Sequence, residues 1–155
     1  MGWRDWIPGP AIGPSRPSKA PAALVELFLE GDEIIGAVGE SHYQPALLHA
    51  CGARRGEDVQ FLCRAHLVPE PENPYDANAV AVHVNGARVA HLARAEAARW
   101  QPILLRLAER GEVATCEAMI AGHPSRGATN NLGIFLHLPP LAEARTQLAI
   151  RRAQR

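Results

Sequence analysis

The run Asn73-Pro74-Tyr75-Asp76-Ala77-Asn78-Ala79-Val80 carries the densest chemistry in this 155-residue chain. Asn and Asp side chains bond nearby backbone amides and Pro fixes φ, so N-P-x-D is first of all a turn. That accounts for Pro74 and Asn73. A tyrosine beside an aspartate at the lip of a strand offers more: a flat apolar face next to a strong acceptor, the pair needed to stack a base and hold a hydroxyl. His91-Leu92-Ala93-Arg94 leads from a predicted strand into a predicted helix. A cation and free N–H groups at such a junction can meet a phosphate, while the plainer reading of Arg94 is a solvated helix residue. His42-Tyr43 supplies two stackable rings, although Tyr43 is equally suited to a core with its hydroxyl at the surface.

Other chemistries find less support. The seven histidines include no H-E-x-x-H or comparable ligand pair, so no metal or cofactor is expected. Cys51, Cys63 and Cys116 are scattered without a C-x-x-C pair and read as buried, reduced thiols of a cytoplasmic protein. Glu70 and Glu72 flank Pro71 and read most simply as a solvated loop face. No phosphate-binding G-x-x-x-x-G-K-[ST] loop or kinase Gly-rich loop is present, which excludes the common ATPase and kinase classes. A hydrolase using Asp76 with a histidine lacks a second carboxylate at ligand spacing. Sixteen basic residues balance sixteen acidic ones, which excludes a generally basic nucleic-acid coat. All the cations but Lys19 are arginine, suited to bidentate contacts with carboxylate or phosphate. The longest apolar runs, such as Leu132 to Leu138, are far too short to span a bilayer, and Met1 to Pro10 lacks an apolar secretory core.

The elements that must position these residues follow from periodicity. Residues 1–31 read as a flexible Pro/Gly-rich tail that contains Trp3 and Trp6, with a short helical turn over Ala22 to Glu30. The ordered domain is expected over residues 32–139. Strands are predicted over Glu33 to Gly39, Val59 to Val68, Ala79 to Val84, Arg88 to Leu92, Val113 to Ala121 and Leu132 to Leu138. Asn85-Gly86 joins two of them as a hairpin, because both turn positions favour positive φ. A short helix is expected over Tyr43 to Cys51, with Pro45 in its first turn. The main helix runs from Arg94 to Arg110, burying Ala97, Ile103 or Leu104, and Leu107, and ends at Gly111. Gly122 to Asn131 reads as a polar loop with His123, Arg126, Asn130 and Asn131. Residues 140–155 read as an Arg/Ala-rich tail or frayed helix. Mostly β, with one main helix before the last strand pair, this order predicts a small, strongly bent, OB-like β-barrel.

Taken together, Val38-Gly39 with His42-Tyr43, the strand from Val59 to Arg64, Glu70 to Val82 (EPENPYDANAVAV), the hairpin, and Val89-Ala90-His91-Leu92 before an Ala-rich helix resemble the HIRAN domain family. The resemblance spans about residues 33–138, and N-P-Y-D-x-N-A-V is its most specific part. It implies a modified OB-like barrel that captures the 3′-hydroxyl end of single-stranded DNA without catalysis, in repair or replication-fork processing. A separately encoded helicase or nuclease would act with it. By position, Tyr75 would stack on the terminal nucleotide and Asp76 would accept from the 3′-hydroxyl. His42 and Tyr43 would line the pocket, His91 and Arg94 would hold phosphates, and Leu132 or Phe135 would complete the stacking floor. The chain departs from the family at Ser41-His42, where fork remodellers carry arginine and tyrosine, so one phosphate contact is missing. A competing expectation is a protein-interaction module using Trp3, Trp6 and the arginine-rich C-terminus, favoured if the pocket is closed by side chains.

Overall fold

Residues 24–52, 57–123 and 132–155 are described by a computed structural model; Trp3, Trp6, Arg126, Asn130 and Asn131 lie outside the described residues. Strands β1 (Val25–Leu29) and β2 (Glu33–Gly36) are followed by a short 3-10 turn (Glu40–His42) and helix α1 (Gln44–Cys51). Next come β3 (Val59–Pro69), the hairpin β4 (Val80–Val84) and β5 (Ala87–His91), then α2 (Arg94–Glu109). The chain closes with β6 (Glu112–Gly122), β7 (Gly133–Leu138) and α3 (Leu141–Ala153). The mostly-β class predicted from periodicity is observed, and among the described residues α3 joins the expected short and main helices.

All seven strands form one sheet in the order β2-β7-β6-β3-β4-β5, with β1 also paired to β6. β6 is its spine. Along one edge its first half pairs in parallel with β1, from Val25↔Glu112 to Leu29↔Cys116. Its second half pairs antiparallel with β7, from Glu117↔His137 to Ala121↔Gly133. β3 follows the opposite edge from Leu67↔Ala114 to Val59↔Gly122. The sheet bends far enough for its two ends to meet, but no ladder closes it into a barrel. They touch through one bridge, in which Val38 and His91 exchange backbone hydrogen bonds of 2.8 and 2.9 Å.

Local chemistry explains the elements around the site. Asn85 and Gly86 adopt φ of 52° and 79°, the left-handed pair that a two-residue hairpin requires. α2 buries Ala97, Trp100, Leu104 and Leu107, an i, i+3, i+7, i+10 stripe lying over β3 and β6. Concave-face residues such as Leu67, Val82, Ile120 and Leu136 complete the core around Trp100.

Two expectations are corrected. Where a helical turn was expected, Val25–Leu29 is a strand, with Leu27 and Leu29 buried and their neighbours more exposed. The period-2 pattern prevails because β6 offers an open parallel edge. Of the two readings of the C-terminal Arg/Ala segment, the helix is observed and the tail is not, and the helix is docked. α3 packs on β1 through Ala144 and Leu148, and a buried leucine of this kind contributes about 1.5–3 kcal/mol. Its arginines anchor it: Arg152 and Arg155 both reach the Glu112 carboxylate at 2.8 Å, and Arg151 donates to the Phe28 carbonyl. Those arginines pair with the chain's own sheet and stay partly exposed. Gly31 makes the turn between β1 and β2 possible, since a Cβ there would lie 2.0 Å from the Leu138 carbonyl carbon.

Candidate nucleic-acid interface

The residues expected to share one pocket fall into three neighbouring groups. The first is buried. Glu70, just beyond β3, places one carboxylate oxygen 2.8 Å from Arg88 and the other 2.8 Å from His91 Nε2. Both partners lie on β5 three residues apart, and in a regular strand they would face opposite ways. A bulge changes this. The β4–β5 register shifts between Val82 and His83, so Arg88 pairs with His83 while Ala90 pairs with Val82 and Val89 is the extra residue. That insertion reverses the alternation and brings Arg88 and His91 to the same carboxylate. The Tyr43 ring packs 6.1 Å from His91, tilted by 46°. Burial pushes the Tyr43 hydroxyl above its ordinary pKa, partly opposed by the Arg88 guanidinium beside it.

The second group is the 73–78 loop. Asn73 is buried, and its Oδ1 accepts the amides of Tyr75 (2.9 Å) and Asp76 (3.2 Å). Asp76 Oδ1 in turn accepts the Asn78 amide at 2.9 Å, and the Ala79 amide donates to the Asp76 carbonyl at 3.0 Å. Two successive Asx turns therefore fix the backbone and leave Tyr75 and Asp76 half-buried at its outer rim. The loop is tied to the first group by Asn73 Nδ2 near Glu70 (3.5 Å), and to α2 by Gln101, which donates to the Ala77 carbonyl. Arg94, the first residue of α2, is exposed, and no side chain caps that helix end.

The third group surrounds Phe135. Its ring, 39% exposed, packs beside Gly36 and Gly133, where a Cβ would sit 3.9 and 3.5 Å from ring carbons. It lines an open cavity of about 470 Å³ together with Glu40, Ser41, Gln44, Leu132 and Gly133. Gln44 imitates a strand partner there, donating to the Leu132 carbonyl (2.8 Å) and accepting the Leu132 amide (3.1 Å). Glu40 is desolvated, which raises its carboxyl pKa, while hydrogen bonds from its own amide and that of Ile134 act in the opposite direction.

The predicted site residues are therefore distributed as follows. Tyr43 and His91 are packed together in the interior, so they support the site and do not form an open wall. His91 has no exposed side-chain surface, a correction to its expected phosphate contact, since a phosphate cannot reach a ring buried against Glu70. Tyr75, Asp76 and His42 are half-buried, and Arg94 and Phe135 are exposed. Sequence reasoning missed Glu70, whose side chain is 11% exposed and paired, where a solvated loop face was expected. Only the bulge, which no spacing announces, brings its two partners together. Gln44, Gln101 and Glu40 were missed as well. The buried-thiol reading fits Cys116, while Cys51 and Cys63 are half-buried; burial pushes the Cys116 and Cys63 thiols up to about 12 and about 11. Among the described residues no helix is long and apolar enough to cross a membrane.

No family model matches the chain and no curated protein matches it. Among solved structures the chain is similar to the HIRAN domain of human HLTF, with 21% identity over 79% of this chain and 90% of that chain, and a TM-score of 0.38.

Proposed function

We propose that this chain is a non-catalytic module that binds the 3′-hydroxyl end of single-stranded DNA. One observation supports the reading: the two-turn loop that carries the adjacent, half-buried Tyr75 and Asp76 with the amides of Tyr75, Asp76 and Asn78 already satisfied. An aromatic face and a carboxylate fixed in this way accept a terminal base and its free hydroxyl without a cost for ordering the loop. Base stacking contributes about 1–3 kcal/mol and tolerates any sequence. Exposed Arg94 supplies the phosphate contact, and the resemblance of Glu70 to Val82 to the HIRAN family points to the same ligand. Ser41 and His42 leave the phosphate track weaker than in fork remodellers, so affinity depends on the end itself. The role that follows is to bring a separately encoded helicase or nuclease to free 3′ ends during repair, within the cytoplasm.

Competition between a linear strand and a covalently closed circle of the same sequence tests this. The linear strand should displace a labelled linear probe at much lower concentration than the circle, which has no ends. Equal competition would reduce the reading to general strand binding, and no binding of either at low salt would refute it.

A further inference from the structure

Beside Phe135 stands a carboxylate that end capture does not use. Glu40 sits at the start of the 3-10 turn after β2, in the same cavity as the exposed Phe135 ring. Its Oε1 lies 3.8 Å from where a Cβ on Gly133 would stand, which sets the carboxylate at the cavity wall beside the ring. Gln44 in this cavity is fully engaged with Leu132 and the Glu40 carbonyl. The cavity thus offers an aromatic plate of sequence-tolerant stacking surface and one acceptor-only group at its wall.

That acceptor selects what can enter. A phosphate is repelled by a carboxylate, so the sugar-phosphate backbone is directed away from this wall and a base edge is directed towards it. A carboxylate accepts only, so the edge must donate. Guanine presents adjacent N1–H and N2–H donors, which match the two carboxylate oxygens, whereas thymine presents one N–H between two carbonyl acceptors.

We propose that Glu40 gives the module a base preference, by reading the donor edge of a guanine stacked on Phe135 near the bound strand end. This rests on the strand-binding reading above. The cavity, at about 470 Å³, has room for a base with its sugar.

The test uses the full chain and labelled oligo-dT strands whose last two nucleotides are dT, dG or deoxyinosine. Wild type should bind the dG end roughly tenfold tighter than the dT end, the discrimination of one good bidentate pair. Deoxyinosine, which lacks the 2-amino group, should fall between them. Glu40→Gln should bind the dT end as wild type does and lose most of the dG preference, while Phe135→Ala should weaken all three. Equal binding of the three ends by wild type would overturn the role of Glu40 and leave end capture standing. Preference unchanged in Glu40→Gln would also overturn it. Absence of any strand binding would refute both proposals together.

Discussion

The Glu70–Arg88–His91–Tyr43 cluster and the 73–78 loop are neighbours joined through Asn73, yet they use similar side chains for opposite ends. In the cluster each charged group faces another inside the protein, and Glu70 bridges two partners at 2.8 Å. In the loop the polar groups mainly satisfy the local backbone, with Asn73 also reaching Glu70, and Tyr75 and Asp76 remain half-buried. A buried ion pair is weak evidence of stability but costly to break, because removal of one partner leaves the others desolvated. Asp76 commits Oδ1 to one exposed turn bond, a smaller contribution to folding than a buried ion pair, and its second oxygen is what the proposal assigns to a ligand. Residues that read as one site therefore divide into a frame, with Tyr43 and His91, and Tyr75, Asp76 and Arg94, which the proposal makes the reading edge.

Substitutions in the frame should act on folding first. Glu70→Ala removes the carboxylate that Arg88 and the buried His91 share, and should cost about 3 kcal/mol, near the low end of the range because Arg88 is partly exposed. Thermal melting should then drop by roughly 6–12 °C. A drop under about 3 °C would mean that the cluster is not structural. Asn73→Ala acts on both sides of the division. It deprives two loop amides of their acceptor and should cost about 1–3 kcal/mol in urea unfolding, together with a loss of end binding. Wild-type binding in that variant would show that the turns do not preorganise the edge.

The frame also has a pH signature. His83 lies across from Arg88, and burial, reinforced by that guanidinium, lowers its pKa from 6.5 to about 4. The unfolded chain then takes up a proton that the folded one refuses, so stability should be full above pH 6.5 and fall as pH drops towards 4. Glu112, lowered by its hydrogen bonds to Arg152, adds a second loss at more acidic pH, below its ordinary value of 4.5. Urea midpoints across this range should show the first decline, and His83→Gln should flatten it while leaving the second. The smallest effect belongs to the edge. Arg94→Ala should leave melting unchanged, weaken all strand ends a few-fold, and reduce the salt slope by about 0.7, the loss of one phosphate contact on a single strand.

The local turns around both regions were legible. Asn85-Gly86 fixes its hairpin because the turn chemistry needs no distant partner, and Asn73 and Asp76 make their turns within three residues. Long-range features were not legible in the same way. Residues 25–29 form an apolar run that suits a helix or a strand, and only the open edge of β6 decides between them. The Ala144 and Leu148 stripe of α3 is too narrow to stand out from its arginines until β1 is there to receive it. Glu40 and Phe135 meet only through the β2–β7 register, almost a hundred residues apart in sequence. The Val89 bulge, which makes Arg88 and His91 partners of one carboxylate, leaves no mark on the hydrophobic pattern.

Fluorescence anisotropy with short single strands ending in a 3′-hydroxyl or a 3′-phosphate, on wild type and on Asp76→Ala, tests the central claim most directly. Wild type should prefer the hydroxyl end, and Asp76→Ala should bind both ends equally while its melting temperature stays within a few degrees of wild type. A hydroxyl preference that survives in Asp76→Ala would contradict the assignment of the reading edge.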